Sequence, residues 1–506
     1  MVAHTFTIAL SGIKCLSINV QVMLTSGMPS FTIVGLPSKT VGESRDRIKA
    51  AIIALGIKLP PKKIVVNLSP ADILKTGSHY DLPIALGLLV EIGIIKQKTL
   101  NKVIAIGELS LDGSIISTSG VLPAAIKAKE LNFNIICSKN NINEVLWAIK
   151  DNKFIAADTL FEVIDALNNS IPTPTIKKQL LKKNITKYND ISEIHGQNIA
   201  IKALKIAVAG KHNILMIGAP GIGKSMLASM TPGIMPELTN EEILENNLIL
   251  SITGELKNGA LHVDPPFRSP HHTTSVQAMI GGGRMAKLGE VTMAHNGILF
   301  LDEFPEFSIA AINSLRQPLE TKMVTITRVE AQAIYPADFM LIAAMNPCKC
   351  GYLYDKKKKC SKAPKCALNY INKIHGPILD RIDMCVILDQ PPPISLSKNK
   401  RLKESSKCIR NNIIKARQLQ LNRYSNMPHK YNAMVTKNIE QTICINEQES
   451  SDIEQFINKC DVSIRGYHKI LRVARSIADI EESDDVHLVH IKEAFSYRMN
   501  IDMLIK

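Results

Sequence analysis

One eight-residue stretch restricts the fold of this chain more than any other feature. Residues 218–225 match the phosphate-loop pattern, in which two glycines bracket four residues before Lys-Ser. An apolar run at 213–217 precedes the loop, and helix-forming residues at 226–228 follow it. Because glycines let backbone N–H groups turn toward phosphates, we predict a strand–loop–helix unit that binds a nucleotide, rather than a chance glycine turn. The predicted phosphate-binding residues are Gly218, Ala219, Pro220, Gly221, Ile222, Gly223, Lys224 and Ser225.

Two carboxylates follow a second apolar run about 80 residues further on, at the distance expected for a partner of a phosphate loop. The run at 298–301 reads as a buried strand that delivers Asp302 and Glu303 at its carboxyl end, where ligands bind in open α/β sheets. We expect Lys224 to reach the β- and γ-phosphates. Ser225 and Asp302 are predicted to hold Mg²⁺, and Glu303 to polarise the attacking water.

Three further polar residues are candidates for the same chemistry. Asn346 ends the apolar run 341–345 and is predicted to sense the γ-phosphate, although an Asn before Pro347 also suits a simple turn. Arg381 follows a short helical segment, and Arg465 begins a helix. Arginine stabilises charge that builds during phosphoryl transfer, but composition alone favours surface ion pairs for both.

The chain divides into three folded regions and a linker. Residues 1–167 alternate strand and helix patterns, with strands at 31–34, 63–68 and 103–106 and helices at 41–55 and 82–95. Two prolines and then lysines mark 168–189 as an exposed linker. A second α/β region spans 190–393 and closes at three prolines. Residues 394–506 are helical in pattern, with helices at 398–423, 449–460, 465–480 and 489–498.

The charge of the chain favours a polyanionic partner, and its apolar runs argue against a membrane partner. The chain carries 61 Lys plus Arg against 46 Asp plus Glu, a net charge of +15, which favours a polyanionic partner. Lysines concentrate at 349–373, and lysines and arginines at 398–423, although solvated faces are the alternative. No secretory leader opens the chain, and its most apolar run, at 82–95, is short and contains Glu91. We therefore expect a cytoplasmic protein with no membrane partner.

Taken together, these motifs resemble the AAA+ ATPases of the magnesium-chelatase-like group, in their ComM (YifB) branch, over nearly the whole chain. The distinctive stretches are 75–85, 209–213, 266–273, 345–351 and 376–381. The resemblance implies an α/β fold class, with a Lon-protease-like α/β N-terminal domain, a P-loop AAA+ core with a parallel sheet, and a C-terminal helical lid like that of magnesium chelatase. It also implies that Asn346 is sensor 1, that Arg381 is an arginine finger acting in trans, and that Arg465 is the sensor-2 arginine, with Arg472 as the alternative.

The same resemblance implies an activity. Members of this branch are ATP- and Mg²⁺-dependent hexameric rings that translocate along DNA as helicases and promote branch migration of recombination intermediates during natural transformation. The implied partners are single-stranded and branched DNA, further copies of the chain, and recombination proteins. The alternatives are the motor subunit of a metal chelatase, an ATP-dependent protease-like remodelling factor, and a module that only binds its partner.

The Lon-like region is predicted to be non-proteolytic. His79 stands where the Lon serine is expected, and Ser78 lies one position early. Counting from the Lon-like stretch 107–113 places the lysine base at Leu122. Because a Ser-Lys pair needs both a nucleophile and a neighbour that takes its proton, we expect a structural or DNA-handling domain.

Four of the ten cysteines lie within 19 residues and form a candidate zinc site: Cys348, Cys350, Cys360 and Cys366. Four thiolates can close a tetrahedral site, although these spacings are not those of two-residue knuckles and reduced thiols are the alternative. A bound zinc is expected to hold the lysines at 356–359 in one shape, which lowers the ordering cost of binding phosphates.

Further candidates lie between the loop and the sensor strand. A hairpin is predicted from 323–328 and 331–336, with Lys322 and Arg328 as DNA-backbone contacts, or else as parts of an ordinary edge hairpin. The glycine run 280–284, with Arg284, is predicted to be a pore-facing loop, or else a plain loop. His271 and His272, beside Arg268, lack further metal ligands at suitable spacing, so we expect a substrate-facing or interface role.

Overall fold

A computed structural model describes most of the chain, and all structural statements below concern these residues. The described ranges are 2–149, 154–169, 183–184, 186–256, 259–283, 287–327, 332–353, 360–374, 376–389, 404–427, 430–436, 439–460 and 462–498. The predicted positions of Arg284, Arg328, the lysines at 356–359 and the prolines at 391–393 lie outside them, as does most of the predicted linker.

Within these ranges the chain forms strands and helices in mixed order. The strands are β1 (Ala3–Ser11), β2 (Lys14–Thr25), β3 (Ser30–Val34), β4 (Lys63–Ser69), β5 (Val103–Ala105), β6 (Glu108–Leu109), β7 (Ile115–Ile116), β8 (Asn134–Ser138), β9 (Phe154–Ala157), β10 (Lys183–Asn184), β11 (Ile214–Gly218), β12 (Leu261–His262), β13 (Phe267–Arg268), β14 (Gly281–Gly282), β15 (Lys287–Leu288), β16 (Ile298–Leu301), β17 (Met323–Thr327), β18 (Gln332–Pro336), β19 (Met340–Met345) and β20 (Met384–Leu388).

The helices are α1 (Lys39–Ala54), α2 (Asp81–Glu91), α3 (Val121–Glu130), α4 (Ile142–Ala148), α5 (Leu160–Asn169), α6 (Asn198–Gly210), α7 (Lys224–Met230), α8 (Asn240–Thr253), α9 (Val276–Ile280), α10 (Glu290–Met293), α11 (Ile309–Ser314), α12 (Arg316–Thr321), α13 (Lys365–Ile371), α14 (Gly376–Leu379), α15 (Ser406–Arg423), α16 (Ile439–Ile443), α17 (Ser450–Lys459), α18 (Ile464–Ile480) and α19 (Leu488–Ser496).

The chain packs as two compact units, each assembled from separated segments. The first contains Met1–Ile185, Thr239–Val263 and Thr325–Tyr335, and the second contains Thr186–Leu238, Asp264–Val324 and Pro336–Lys506. Helix α8 and most of the β17–β18 hairpin therefore belong to the same unit as the N-terminal sheet. The division into four segments drawn from the sequence stays a prediction.

The first unit is built on a seven-stranded mixed sheet in the order β3-β4-β2-β1-β5-β8-β9. The β2 strand pairs antiparallel with β1 and β4, whereas β3, β5, β8 and β9 join in parallel. Alternate residues of β2 and β4, such as Val20, Val22, Val66 and Leu68, are fully buried. This period of two is what a strand with one covered face requires, and the almost wholly buried helix α2 packs against β1 and β2.

The second unit is built on a five-stranded parallel sheet in the order β13-β16-β19-β11-β20. Strands β11, β16 and β19 are buried along their whole length, which is the pattern of a parallel sheet covered on both faces. Because the pairings are all parallel, the carboxyl ends of these strands share one edge of the sheet. A mixed α/β architecture with a parallel sheet, as predicted, is therefore present.

Most of the predicted strands and helices are present, with small shifts. The strands predicted at 31–34 and 63–68 are β3 and β4, and the predicted hairpin is the two-stranded β17–β18 sheet. The helix predicted at 82–95 ends at Glu91, because the chain turns at Gly93, whose φ is +85°. The long strands β1 and β2 were not predicted from the sequence. The Lon-like character of the first unit stays a prediction.

The C-terminal part of the second unit is helical, from α15 to α19. The helix predicted at 465–480 is α18, which begins after Ser463, whose Oγ accepts a hydrogen bond from Gly466 N. Inside this part, the fully buried pair Arg475 and Asp479 lies on one face of α18, with Nη2 2.9 Å from Oδ1. Across the described ranges, no helix combines the length and apolarity needed to span a bilayer. The assignment of these helices as a lid stays a prediction.

Candidate nucleotide site

The phosphate loop connects the central strand β11 to helix α7. Gly221 and Gly223 have φ values of +77° and +97°, in the left-handed region that favours glycine. A Cβ added to Gly218 would lie 2.1 Å from Ile222 Cδ1 and 3.1 Å from the Leu388 carbonyl oxygen, so a side chain there would displace its neighbours. The strand–loop–helix unit expected from the sequence is therefore formed, with α7 beginning at Lys224.

The Lys224 ammonium lies inside the loop and holds its shape. Its Nζ donates to the carbonyl oxygens of Gly218, at 2.7 Å, and Ala219, at 2.9 Å. It also donates to Asn346 Oδ1 at 3.1 Å, which brings the residue predicted as sensor 1 to the loop. Burial lowers the pKa of Lys224, and the carboxylates of Asp302 and Glu303 oppose that shift. The loop is thus shaped around a buried cation suited to phosphate oxygens.

The side chains of the two predicted magnesium ligands are hydrogen-bonded to each other. Ser225, at the start of α7, donates from Oγ to Asp302 Oδ2 at 2.6 Å. Asp302 follows β16, and its other oxygen accepts the Glu303 N–H at 2.9 Å. A hydroxyl and a carboxylate are oxygen ligands of the kind that Mg²⁺ takes beside substrate phosphates. The donor set fits the ion that the sequence analysis assigned to it.

Glu303 follows Asp302 in a left-handed conformation, with φ +50°. Its side chain is half-exposed, and its Oε2 lies 3.4 Å from Nδ1 of His272. This contact was not predictable from local sequence patterns, because the two residues are 31 positions apart in the sequence. The ring of the neighbouring His271 packs beside that of His272, with ring centroids 4.1 Å apart, and its Nδ1 is hydrogen-bonded to the Thr273 hydroxyl. The predicted substrate-facing or interface role of the two histidines stays a prediction.

Arg381 and Arg465 belong to neighbouring segments that lie away from the phosphate loop of their own chain. The backbone oxygen of Arg381 accepts a hydrogen bond from Asn213 Nδ2 at 2.9 Å, and Asn213 precedes β11. The loop starts at the other end of β11, roughly 13 Å along the strand at about 3.3 Å per residue. The Arg381 guanidinium donates to Glu320, and Arg465 Nη1 lies 3.7 Å from Asp380 Oδ2. The structure therefore places Arg465 beside Asp380, the neighbour of Arg381 in the sequence, and brings neither arginine to Lys224.

The alternative lid arginine is held within its own helical region. Arg472 donates from Nη1 to the carbonyl oxygen of Ala433 at 3.0 Å and from Nε to that of His468 at 3.2 Å. The other predicted lid residue, Arg465, has a side chain that is 79% exposed. Arg465 is thus the one of the two that faces solvent.

The four cysteines of the predicted zinc site converge. The Sγ atoms of Cys348, Cys350, Cys360 and Cys366 all lie within 4.8 Å of one another, and those of Cys348 and Cys350 are 3.2 Å apart. Burial raises the pKa of the Cys348 thiol, whereas the backbone N–H of Tyr352 lowers that of Cys350. We refer to these four residues as the cysteine cluster.

Several cations that the sequence analysis offered as DNA contacts are bonded within the fold. In the 398–423 cluster, Arg410 donates to the Gly233 carbonyl oxygen at 2.7 Å and Arg417 to that of Val208 at 2.9 Å. Arg423 pairs with the buried Asp479 at 2.7 Å. A count of charged residues treats these arginines as surface charge, because it carries no information about which way a side chain points.

Two other cations of the second unit are also ion-paired. Lys322 Nζ lies 3.4 Å from Asp338, and burial lowers the pKa of this lysine. Arg268 makes a two-pronged ion pair with Glu290, at 2.7 and 2.9 Å. Neither side chain therefore presents an unpaired positive charge.

The first unit contains the positions compared with the Lon protease. Ser78 donates from Oγ to the Glu108 carboxylate. His79 is buried, and its Nε2 lies 3.0 Å from the Ile8 carbonyl oxygen. Leu122 is fully buried, and its N–H donates to Glu144 Oε2 at 3.1 Å. At the positions expected for the serine and the lysine base, the chain therefore has a buried histidine and a buried leucine.

Sequence models of one family match most of the chain. The model described as magnesium chelatase, subunit ChlI, matches residues 190–395. Those described as subunit ChlI of Mg-chelatase and as the ChlI C-terminal region match residues 20–141 and 403–498.

Relatives of similar length match from end to end. The competence protein ComM of Haemophilus influenzae is 36% identical over 510 residues, which cover 100% of this chain and 99% of ComM. The protein YifB of Escherichia coli K12 is 38% identical over 506 residues, covering 99% of this chain and 97% of YifB.

A more distant relative matches only part of the chain. The maternal DNA replication licensing factor mcm6 of Xenopus tropicalis is 22% identical over 215 residues, covering 41% of this chain and 25% of mcm6.

Proposed function

This chain belongs to the magnesium-chelatase ChlI family, in the branch that holds ComM and YifB, and on that premise we propose that it is an ATP-driven DNA motor. It hydrolyses ATP as a homohexameric ring, translocates along DNA, and acts as a helicase that promotes branch migration in homologous recombination during natural transformation. Its partners are single-stranded and branched DNA and recombination proteins, in the cytoplasm.

The assembled phosphate site is the observation that carries this proposal. Lys224 lies within the loop and contacts Asn346, and Ser225 is bonded to Asp302, at the shared edge of the sheet. When bound, Mg²⁺ at Ser225 and Asp302 neutralises charge on the β- and γ-phosphates. Lys224 binds the same phosphates, and the half-exposed Glu303 carboxylate accepts a proton from the attacking water.

The position of Arg381 supports a ring. Its backbone lies at the amino edge of the parallel sheet, whereas the phosphates bind at the carboxyl edge. An arginine placed there contacts the nucleotide bound by a neighbouring protomer and not the nucleotide bound by its own chain. Head-to-tail contacts of this kind close into a ring when the rotation between protomers permits it. Arg465, which is next to Arg381 through Asp380, is available to the same neighbour.

A DNA partner is supported by charge and by the relatives. The net charge of +15 favours a polyanion. One full-length relative is a competence protein, and a distant one is a DNA replication licensing factor. Because Arg410, Arg417 and Arg423 are bonded within the fold, we place the DNA contacts on other cations.

One other function has specific support, and a second is disfavoured. The descriptions of the matching family models favour the motor subunit of a metal chelatase, and a porphyrin-binding partner would then stimulate ATP turnover. A protease-like remodelling factor is disfavoured, because Leu122 stands at the position of the base and the Ser78 hydroxyl is engaged by Glu108. Loss of self-cleavage or casein cleavage on Ser78→Ala substitution would reinstate it.

The cofactors of the proposal are ATP, Mg²⁺ and one structural Zn²⁺. Four thiolates are the ligand set of a closed structural zinc site, and the sulfur spacing of the cysteine cluster suits it.

ATP turnover with and without single-stranded, duplex and branched DNA tests the function. We expect DNA to stimulate hydrolysis, with branched DNA effective, and DNA affinity to fall steeply as salt rises. Lys224→Ala, which removes the phosphate contact, is the control and should abolish turnover. Turnover that is indifferent to DNA and stimulated by a porphyrin-binding partner would replace this function with the chelatase motor.

A further inference from the structure

The cysteine cluster adjoins the phosphate loop, and this contact carries a further inference. We infer that the cluster, closed by one zinc ion, is a structural support of the phosphate loop, so that loss of the metal weakens ATP binding. The inference rests on the proposed ATP site and adds a second role to the proposed zinc: the metal acts on nucleotide affinity and not only on the lysine-rich segment.

The geometry of the cluster suits one tetrahedral ion. With Zn–S bonds of 2.3 Å, the sulfurs of a tetrahedral site lie about 3.8 Å apart. The four Sγ atoms are already within 4.8 Å of one another, so sulfur shifts of about 1 Å complete the coordination. The ligands combine one buried thiol, Cys348, with more accessible ones, and such soft sulfur ligands select zinc over magnesium or calcium.

The turn that follows Cys350 packs against the phosphate loop. Gly351 is buried and has φ +82°, and its N–H donates to the Cys348 carbonyl oxygen at 2.9 Å. A Cβ placed on Gly351 would lie 2.7 Å from Cγ and Cδ of Pro220, which is closer than real Cβ atoms approach. The backbone of Gly351 is therefore packed directly against the third residue of the loop.

Both ends of the cluster lead to groups of the nucleotide site. Cys348 lies two residues after Asn346, whose Oδ1 accepts from Lys224 Nζ at 3.1 Å. Cys366 lies in α13, and two residues beyond that helix Lys373 Nζ is 3.2 Å from Glu306 Oε2. Glu306 is in the short turn that follows Glu303. A metal at the cluster would thus join the segment that follows β19 to α13, and the ion pair of Lys373 with Glu306 connects the end of that helix to the segment that follows β16.

The expected effect on binding is entropic. Without a metal, the segments that bear the four thiols lose the bonds that hold them together. The turn at Gly351 then has more conformations, and ATP binding must order it against Pro220. Ordering a loop during binding subtracts from affinity, whereas a loop that is already fixed binds at less cost.

Metal analysis of the purified full-length protein is the first test. We expect about one zinc per chain, lost in Cys360→Ser and Cys366→Ser, because each substitution removes a ligand. The matched control is Cys408→Ser, at an exposed cysteine outside the cluster, which should keep its zinc. Less than about 0.2 zinc per chain, iron in its place, or a Cys348–Cys350 disulfide would overturn the zinc assignment.

Nucleotide affinity is the second test, and it includes a variant with all four cysteines intact. Gly351→Ala leaves all four thiols in place and should therefore retain zinc, but its methyl group lies against Pro220 at a left-handed φ and should weaken binding of a fluorescent ATP analogue about fivefold or more. Gly42→Ala, in α1 with open space around its Cβ, is the control and should bind as the parent does. Zinc removal by a chelator should also weaken binding, and zinc addition should restore it.

Equal ATP affinity in the zinc-free, zinc-loaded and Gly351→Ala proteins would overturn the inference. That result leaves the proposed function standing if DNA still stimulates hydrolysis. Conversely, zinc-dependent ATP binding without any DNA stimulation would overturn the motor and leave the inference intact.

Discussion

The ammonium of Lys469 lies 2.9 Å from the carbonyl oxygen of Ile382, so helix α18 is bonded directly to the loop that carries Arg381. A second contact, at 3.4 Å, reaches the carbonyl oxygen of Leu379 on the other side of that arginine. Burial lowers the pKa of Lys469, an effect that nearby Asp383 and Asp380 oppose. One lysine thus spans the four-residue segment that contains the proposed finger.

We predict that Lys469 positions Arg381 for the neighbouring protomer. Lys469→Met should lower kcat about tenfold or more, because the guanidinium is then misplaced, and leave KM for ATP within about twofold. Lys469→Arg should restore part of the rate, since it keeps the charge and the reach. Lys415→Met, which removes an exposed pair with Glu482, is the control. Steady-state kinetics decide the matter, and an equal fall in the Met and Arg variants would contradict a positioning role.

A second prediction concerns the proposed base. Glu303→Gln should lower kcat by about 100-fold or more, because the amide accepts no proton from water, while ATP affinity changes little. Rings that retain ATP should therefore accumulate, which size-exclusion chromatography with labelled nucleotide detects. Loss of ATP affinity would show instead that Glu303 shapes the binding site.

A third prediction tests action in trans with mixed proteins. Arg381→Ala and Lys224→Ala should each be nearly inactive alone. In an equal mixture, an Arg381→Ala protomer keeps an intact phosphate loop and receives Arg381 from a Lys224→Ala neighbour. About one interface in four is then complete, so about a quarter of the parental rate should return. A mixture as inactive as its components would place Arg381 outside the neighbour's site.

A fourth prediction concerns stability against pH. Burial lowers the pKa of both His79 and His212 to about 4, with Asp383 opposing and Arg472 reinforcing the shift for His212. Because the unfolded chain then binds more protons, stability should be complete above pH ~6.5 and fall as the pH drops toward 4.

As the pH approaches 4, the decrease in the free energy of unfolding approaches roughly 3 kcal/mol for each histidine. Denaturant unfolding between pH 4 and 7.5 measures it, with His79→Gln and His212→Gln expected to flatten the profile. An unchanged slope in both variants would contradict the assignment.

Local sequence patterns predicted the elements that local forces produce. The loop at 218–225 was recognisable because glycines at fixed positions, an apolar strand before them and a helix after them are consequences of backbone geometry. The same holds for β16 with Asp302 and Glu303, and for the helix α18. The pairing of Ser225 with Asp302 followed, since parallel strands bring their carboxyl ends to one edge.

Other relationships depend on side chains that meet across large separations in the sequence, which no periodicity encodes. The contacts of His272 with Glu303, Lys469 with the Arg381 loop, and Gly351 with Pro220 are of this kind. Charge is another example, because a composition count treats Arg410 and Arg465 alike, yet one is bonded within the fold and the other faces solvent. The amino acids therefore specified which chemistry is present, whereas packing over long separations selected which groups face one another.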